Sequence, residues 1–460
     1  MKQVIIAAAI AGITGCAGQP SGSIETTRQV TARQVTLPTK LPPMKAFSGG
    51  ASTRPTRPNA QIAADFLELS FELESGRALP VLSRFEGPVS VRVVGRAPLV
   101  LQTDLDKLIG RLRSEAGINI SRAGGTGPAS ITLEVISKRA LQSLVPGAAC
   151  FVAPNVSGWA EYKKARRTPQ TDWTRLTERK RMSVFIPGDV SPQEMRDCLH
   201  EEIAQALGPV NDLYRLPDSV FNDDNFHTVL TGFDMLVLRA FYAPELKSGM
   251  TRSEVGARIP ALLARLNPAG GRGAPAPVSY TPRAWKTAIE TALGGGGSMS
   301  TRRSAAGRSV DLARSMNWRD TRLAFSLFVR GRLNLGVNSD IALASFREAE
   351  AIYRANPATQ LQAAHMGVQL AAHALSLGNT ETAIRIVDAH MTPVRKAENA
   401  ALLSTLILIK SEALALSGND AQAQLLRLDG LGWARYGFGS EAEVGARLDE
   451  IAAISPGGRG

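Results

Sequence analysis

Residues 191–212 read SPQEMRDCLHEEIAQALGPVND and carry the signals of a single helix. Ser191 suits the N-cap, Pro192 suits the first helical position, and Glu194 stands three residues after the cap. Apolar residues then recur at helical spacing, namely Leu199, Ile203, Ala206 and Leu207. A Gly-Pro pair follows and ends the pattern. The stretch therefore predicts a helix over residues 192–207.

The last two turns of this helix carry a polar group that is similar to the zinc-protease motif HExxH. In that motif two His one turn apart bind one metal, and the Glu beside the first His is the general base. Counted from His200, the second ligand position holds Ala204, which cannot bind a metal. Counted from Glu201, the spacing is that of the longer HExxHxxGxxH motif, with Glu202 at the general base. The three ligand positions then hold Glu201, Gln205 and Asn211.

Three segments together resemble a bacterial family of unknown function with a zincin-like fold. They are HEEIAQALGPVND, SVFNDDNF and FYAPELKSGM, and they place the resemblance over roughly residues 60–260. The family typically shows an E-x-x-Q-x-L-G-x-x-N-D core, which residues 202–212 match. The resemblance implies an α+β zincin-like domain with a pocket at this helix, and it implies no established reaction.

The donor set at the predicted pocket differs from that of active zinc peptidases. Neutral imidazole is the usual nitrogen ligand of catalytic zinc, whereas one carboxylate with two amides is a hard-oxygen set suited to calcium or magnesium. A bound divalent metal, zinc or calcium, therefore stays an open expectation. The alternative is that this Glu-rich turn is a solvated helix face with no site.

Composition limits the classes of protein. The chain has 460 residues, 44 % of them hydrophobic and 20 % charged, which suits two or three folded domains. Its formal charge of +12 suits contact with anionic lipid or envelope polymer. The Arg residues are scattered and no nucleic-acid motif occurs, so we expect no nucleic-acid partner.

Residues 1–19 are predicted to be a targeting segment. A short apolar run ends in Ile13-Thr14-Gly15-Cys16, which resembles the lipobox of bacterial lipoproteins. The resemblance implies a lipid on Cys16 and a periplasm-facing envelope location, with the outer membrane favoured because Ala17 follows. A plain signal peptide or a short anchor helix is the alternative. Residues 20–59 are rich in Thr, Pro, Gly and Arg and predict a disordered tether.

Two further cysteines remain, Cys150 and Cys198. An exported protein meets an oxidising compartment, so we expect one disulfide between them. Two buried free thiols are the alternative.

Residues 60–265 are predicted to form the zincin-like domain. Alternating or apolar runs indicate strands at residues 89–94, 118–121, 131–136 and 183–186, separated by amphipathic helices. Residues 266–300 are rich in Gly and Pro and predict a linker with a short helix.

Residues 301–455 are predicted to form an all-α helical-repeat solenoid. Gly378 and Gly418 lie 40 residues apart, and each is followed five residues later by Ala, at 383 and 423. An earlier copy holds Gly336 and Ala342. The pattern resembles tetratricopeptide repeats, in which paired helices stack and expose a concave face for a protein or peptide partner.

Three functional hypotheses follow. The first is a lipid-anchored interaction or scaffold protein of the cell envelope, with a degenerate zincin-like domain. The second is an active metallopeptidase in which Glu202 is the general base and Glu201, Gln205 and Asn211 hold the metal. The third is a structural factor that binds anionic envelope polymer. The missing His pair favours the first hypothesis.

Overall fold

The computed structural model describes residues 38, 40–50, 52–55, 57–124, 127–271 and 280–456. The predicted targeting segment with Cys16, and residues 20–37 of the predicted tether, lie outside these ranges. Within them, every helix is too short or too polar to cross a membrane. The chain divides into two compact units. Unit 1 comprises Gly49–Val190 and Glu194–Pro282, and unit 2 comprises the described residues up to Ser48, Ser191–Gln193 and Arg283–Gly460.

Unit 1 is built on a five-stranded mixed sheet in the order β2-β1-β3-β5-β4. Neighbouring strands are parallel except β4, which runs antiparallel to β5. The strands are β1 (Val89–Val94), β2 (Ile120–Arg122), β3 (Ile131–Ile136), β4 (Phe151–Pro154) and β5 (Met182–Pro187). The predicted strands are confirmed within two residues. β4 is a further strand whose four residues are all buried, so it shows no alternation that a pattern would reveal.

Seven α-helices complete unit 1 in its described residues. They are α1 (Asn59–Phe71), α2 (Leu99–Glu115), α3 (Lys138–Leu144), α4 (Trp159–Ala165), α5 (Pro192–Leu207), α6 (Gly232–Phe241) and α7 (Arg252–Leu266). The helix predicted over residues 192–207 is confirmed as α5. Its apolar residues Leu199, Ile203 and Leu207 are fully buried in the same core as the sheet. α5 is therefore central to unit 1, and the packing of its apolar face in the core fixes where its polar residues lie.

Unit 2 is all-helical over its described residues after Pro282. It contains α8 (Arg283–Leu293), α9 (Met299–Ser315), α10 (Thr321–Asn334), α11 (Ser339–Arg354), α12 (Gln360–Ser376), α13 (Thr380–Lys396), α14 (Ala400–Leu416), α15 (Asp420–Gly437) and α16 (Glu441–Ala452). From α8 to α16 each helix packs against the next. Gly336, Gly378 and Gly418 have positive φ angles of 74°, 73° and 82° in the turns that precede α11, α13 and α15. Glycine adopts the left-handed backbone conformation with little strain because it has no Cβ. The positive φ angles in these turns therefore explain why glycine recurs there.

Two stretches with linker-like composition belong to unit 2 instead. In the predicted 266–300 linker, Trp285 of α8 is fully buried and its Nε1 donates to Ser326 Oγ at 2.9 Å. In the predicted tether, Phe47 stacks on Trp433 of α15 with ring centroids 4.5 Å apart, and Lys45 N donates to Gly432 O. Aromatic side chains contribute a large apolar area to each contact, which composition alone does not reveal.

Candidate functional site

The C-terminal end of α5 is held by side chains from other elements. Arg179, itself buried, donates to the carbonyl oxygens of Gln205 and Gly208. The hydroxyl of Tyr242 donates to Leu207 O at 2.9 Å. These donors satisfy carbonyls that the helix leaves without partners. The Phe241 ring lies 3.0 Å from where a Cβ of Gly208 would stand, so any larger residue would push the ring away.

A disulfide joins Cys198 on α5 to Cys150, directly before β4. The two Cα atoms are 5.8 Å apart, and both side chains are buried. The bond ties the helix that carries the polar residues to the antiparallel end of the sheet.

His200 packs as a neutral core residue. Its side chain is 5 % exposed, and its Nδ1 accepts a hydrogen bond from Leu230 N at 3.1 Å. Burial lowers the pKa of His200 well below 6.5, and the nearby Arg196 and Arg111 lower it further. An Nδ1 that accepts a backbone N–H has no lone pair left for a metal. His200 therefore serves the packing of unit 1.

Glu202 is the most unusual residue of the helix. It is 1 % exposed, and neither of its carboxylate oxygens has a hydrogen-bond partner. Burial raises the pKa of Glu202 well above 4.5, and the charges of Glu201 and Glu74 raise it further. Glu201 is half-buried, and its pKa is raised to about 8 by burial, then by Glu74, Asp223 and Asp197.

Asp212 joins the same group of acids, which we call the carboxylate cluster: Glu74, Glu201, Glu202, Asp212 and Asp223. Burial raises the pKa of Asp212 well above 3.8, and Glu74, Asp223 and Glu201 add to the rise. A hydrogen bond with the Glu74 carboxyl also raises the pKa of Asp212. Asp212 therefore lies near enough to Glu201 for their charges to interact. His227 instead uses Nε2 to bond Pro217 O at 3.2 Å.

The other two predicted ligand positions, Asn211 and Gln205, are both buried. Asn211 is 3 % exposed, its Nδ2 donates to Glu68 O at 3.1 Å, and its Oδ1 accepts from Asp212 N at 3.1 Å. Gln205 is also buried, next to the Arg179 cap. Across the described ranges, no three His, Cys, Asp or Glu side chains are grouped in a way that would hold a metal. The residues present do not fit a catalytic zinc ion.

Sequence reasoning singled out neither Glu74 nor Asp223 as a site residue. Glu74 lies in a turn shortly after α1, within the stretch ELESG. No motif marks it, and only the fold brings it to residues on α5. An acid in a turn is ordinarily explained by turn chemistry alone.

A known protein family matches the part of the chain that carries the carboxylate cluster. No curated protein matches the chain, and no solved structure matches it. Residues 59–261, which include every member of the carboxylate cluster, match the model of a family described as a protein of unknown function, DUF2927.

Proposed function

We propose that the protein is a lipid-anchored envelope protein whose unit 1 is a zincin-like domain without catalytic zinc and whose unit 2 binds a protein segment. The E-x-x-Q-x-L-G-x-x-N-D core and the mixed sheet followed by α5 support the zincin-like assignment. The lipobox-like Cys16 and the basic charge support the envelope location.

The engaged amide of Asn211 carries the proposal that unit 1 lacks catalytic zinc. Its Nδ2 donates to Glu68 O and its Oδ1 accepts from Asp212 N, so these two hydrogen bonds fix the amide and leave one lone pair of Oδ1 for a metal. Gln205 and Glu201 replace the imidazoles that zinc favours, so the donor set is a weak one for catalytic zinc.

Elemental mass spectrometry of the full-length chain, after incubation with zinc and gel filtration, tests this proposal. We expect far less than one zinc per chain. We also expect the same negligible hydrolysis of unfolded casein by the wild type, by Glu202→Gln and by the matched control Glu178→Gln, whose side chain is 42 % exposed. One zinc per chain, together with proteolysis lost only in Glu202→Gln, would overturn it.

A metallopeptidase with Glu202 as general base is the second candidate, and one observation favours it. A buried carboxylate with no hydrogen-bond partner is costly, and enzymes keep such groups where a substrate completes the site. The same assay distinguishes the two candidates, because only the second requires the Glu202→Gln variant to differ from the Glu178→Gln variant.

The binding role of unit 2 rests on its stacked helices. Helix pairs that stack in one direction form extended surfaces that take peptide segments. Peptides selected from a random library on the full-length chain should protect amides of α9 to α15 in hydrogen-exchange mass spectrometry. Protection confined to unit 1 would contradict this role.

The lipid anchor is tested separately. Labelled palmitate should enter the wild-type chain during bacterial expression and should be absent from Cys16→Ser. Equal labelling of both chains would exclude Cys16 as the lipidated residue.

A further inference from the structure

Residues 41–47, which we call the docked segment, lie against α15 within unit 2 and form no helix or strand of their own. Their main chain makes two hydrogen bonds there. Lys45 N donates to Gly432 O at 2.9 Å, and Arg435 Nη1 donates to Pro42 O at 2.8 Å. Both bonds use backbone atoms of the segment, so they hold an irregular stretch of chain with little regard to its sequence.

Two side chains of the docked segment supply the selectivity. The ammonium group of Lys45 pairs with Asp429, and it lies 5.8 Å from the centroid of the Trp433 ring. Phe47 stacks on the same ring, with centroids 4.5 Å apart. A carboxylate favours a cation, and a Trp face favours both a cation and an aromatic ring. This surface of α15 therefore selects a basic residue followed two positions later by an aromatic one.

The helix is shaped for such a segment at Gly432. A Cβ at this position would stand 3.2 Å from Lys45 Cγ and 3.2 Å from Pro43 O. Glycine in the middle of a helix is less favourable than alanine, and it is used where another backbone must come close. Gly432 thus gives the segment room to reach the helix backbone.

The fit of the docked segment is incomplete. Trp433 is buried, and among the residues that the structure describes none accepts a hydrogen bond from its Nε1. A buried donor without an acceptor is unfavourable. The middle of the segment, residues 43–46, is exposed, so its release uncovers little apolar surface of its own. A segment that also offers an acceptor to the Trp433 indole would match the surface better.

We propose that this surface binds a segment of a partner protein in which a basic residue precedes an aromatic residue by two positions, and that the docked segment fills the surface until the partner displaces it. We call the surface the α15 site, and its residues are Asp429, Gly432, Trp433 and Arg435. The inference rests on the proposed binding role of unit 2, and it names the site and the chemistry of the peptide. A segment in the same chain competes at a high effective concentration, so only a better-matched partner replaces it.

Fluorescence anisotropy of a labelled synthetic peptide of residues 40–50, titrated with the full-length chain, tests the site. Phe47→Ala in the chain removes the stacking ring of the docked segment and frees the site for the peptide. Gly432→Ala, added to that chain, places a methyl group where the peptide must lie, while alanine favours the helix. Gly307→Ala is the matched control, because it makes the same change in α9 at a position where a Cβ meets nothing within 4 Å.

We expect the Phe47→Ala chain to bind the peptide about tenfold or more tighter than the wild type does. Adding Gly432→Ala should weaken that binding about tenfold or more, and adding Gly307→Ala should leave it unchanged. Equal affinity of the wild-type and Phe47→Ala chains, or no saturable binding by either, would overturn the proposal. A wild-type dimer that Gly432→Ala dissociates in sedimentation would assign the site to a second copy of the chain and would overturn it as well.

Peptides selected from a random library on the Phe47→Ala chain test the chemistry of the partner. They should be enriched in a basic residue two positions before an aromatic one, and they should protect amides of α15 from hydrogen exchange. Peptides that protect other helices of unit 2 and leave α15 unprotected would refute the α15 site while the binding role of unit 2 stands. No protection in any helix of unit 2 would refute both.

Discussion

Two residues on α5, His200 and Glu202, show how burial decides the chemistry of a side chain. His200 is buried with a partner, the N–H of Leu230, and the hydrogen bond requires the neutral ring. Glu202 is buried without a partner, and its environment opposes ionisation. Burial lowers the pKa of His200 and raises the pKa of Glu202, so in both residues it disfavours the charged form.

The neutral His200 makes unit 1 sensitive to acid. Its folded pKa lies well below 6.5, so its contribution to stability is present above pH 6.5 and is lost as the pH falls towards the folded pKa. We expect the free energy of unfolding of unit 1 to fall by about 1.4 kcal/mol for each pH unit below 6.5 on account of this residue.

Urea unfolding read by pulse proteolysis of unit 1, at pH 7, 6 and 5, measures this slope. His200→Asn keeps an acceptor for Leu230 N and should flatten the slope, whereas His373→Asn in unit 2 should leave it unchanged. A slope that is the same in wild type and His200→Asn would show that His200 does not carry the effect.

At the scale of the helix and strand, some positions require glycine because a neighbouring element packs against the backbone there. Gly437, the last residue of α15, is one of them. A Cβ built on it would stand 2.6 Å from both the N and the Cα of Ala401 on α14. Backbone atoms cannot rotate away as a side chain does, so the two helices would have to separate.

We predict that Gly437→Ala destabilises unit 2 by about 1–3 kcal/mol through overpacking. Gly307 is the matched control, since it lies inside α9 and a Cβ there would meet nothing within 4 Å. Gly307→Ala should stabilise the helix by about 0.5–1 kcal/mol. Thermal unfolding followed at 222 nm measures both changes, and destabilisation of similar size in both variants would contradict the steric explanation.

The disulfide between Cys150 and Cys198 is the second feature at this scale. It closes a loop with a sequence separation of 48 residues, which corresponds to about 4 kcal/mol of stabilisation in the chain-entropy description. The unfolded, non-reduced form without residues 1–16 should show no free thiol, and a Cys150→Ala, Cys198→Ala chain should unfold at lower urea. Two reactive thiols in the non-reduced form would exclude the bond.

Local patterns predicted much of this architecture, and the reason is physical. α5 begins and ends where its cap, apolar spacing and Gly-Pro stop indicate, because each of these signals acts within a few residues. Glu74 could not be predicted as a neighbour of Glu201, because the approach depends on how α1 and α5 enter one core. The engaged amide of Asn211 depends likewise on Glu68, which lies in another helix.

For the whole molecule, composition alone placed the start of unit 2 too late in the chain. Glycine and proline around residue 280 suggested a linker, yet α8 belongs to unit 2, because its residue Trp285 is fully buried there. A fragment that begins at residue 300 therefore lacks a helix whose large aromatic side chain is fully buried.

We predict that residues 283–460 and residues 300–460, expressed separately, differ in stability. The longer fragment retains the buried Trp285 and should melt cooperatively at a higher temperature, because loss of a buried Trp costs about 3–5 kcal/mol. Circular dichroism at 222 nm gives both melting curves. Coincident melting curves would show that α8 is dispensable for unit 2.

The docking of Phe47 on Trp433 also affects the order in which the protein folds during synthesis. Lys45 and its ion-pair partner Asp429 are 384 residues apart, so the docking segment leaves the ribosome long before its binding surface exists. Unit 1 lies between them in the sequence, and its folding shortens the effective loop that must close. Synthesis that stops before α15 is complete would leave Phe47 without its stacking partner, so this contact forms only after Trp433 has been made.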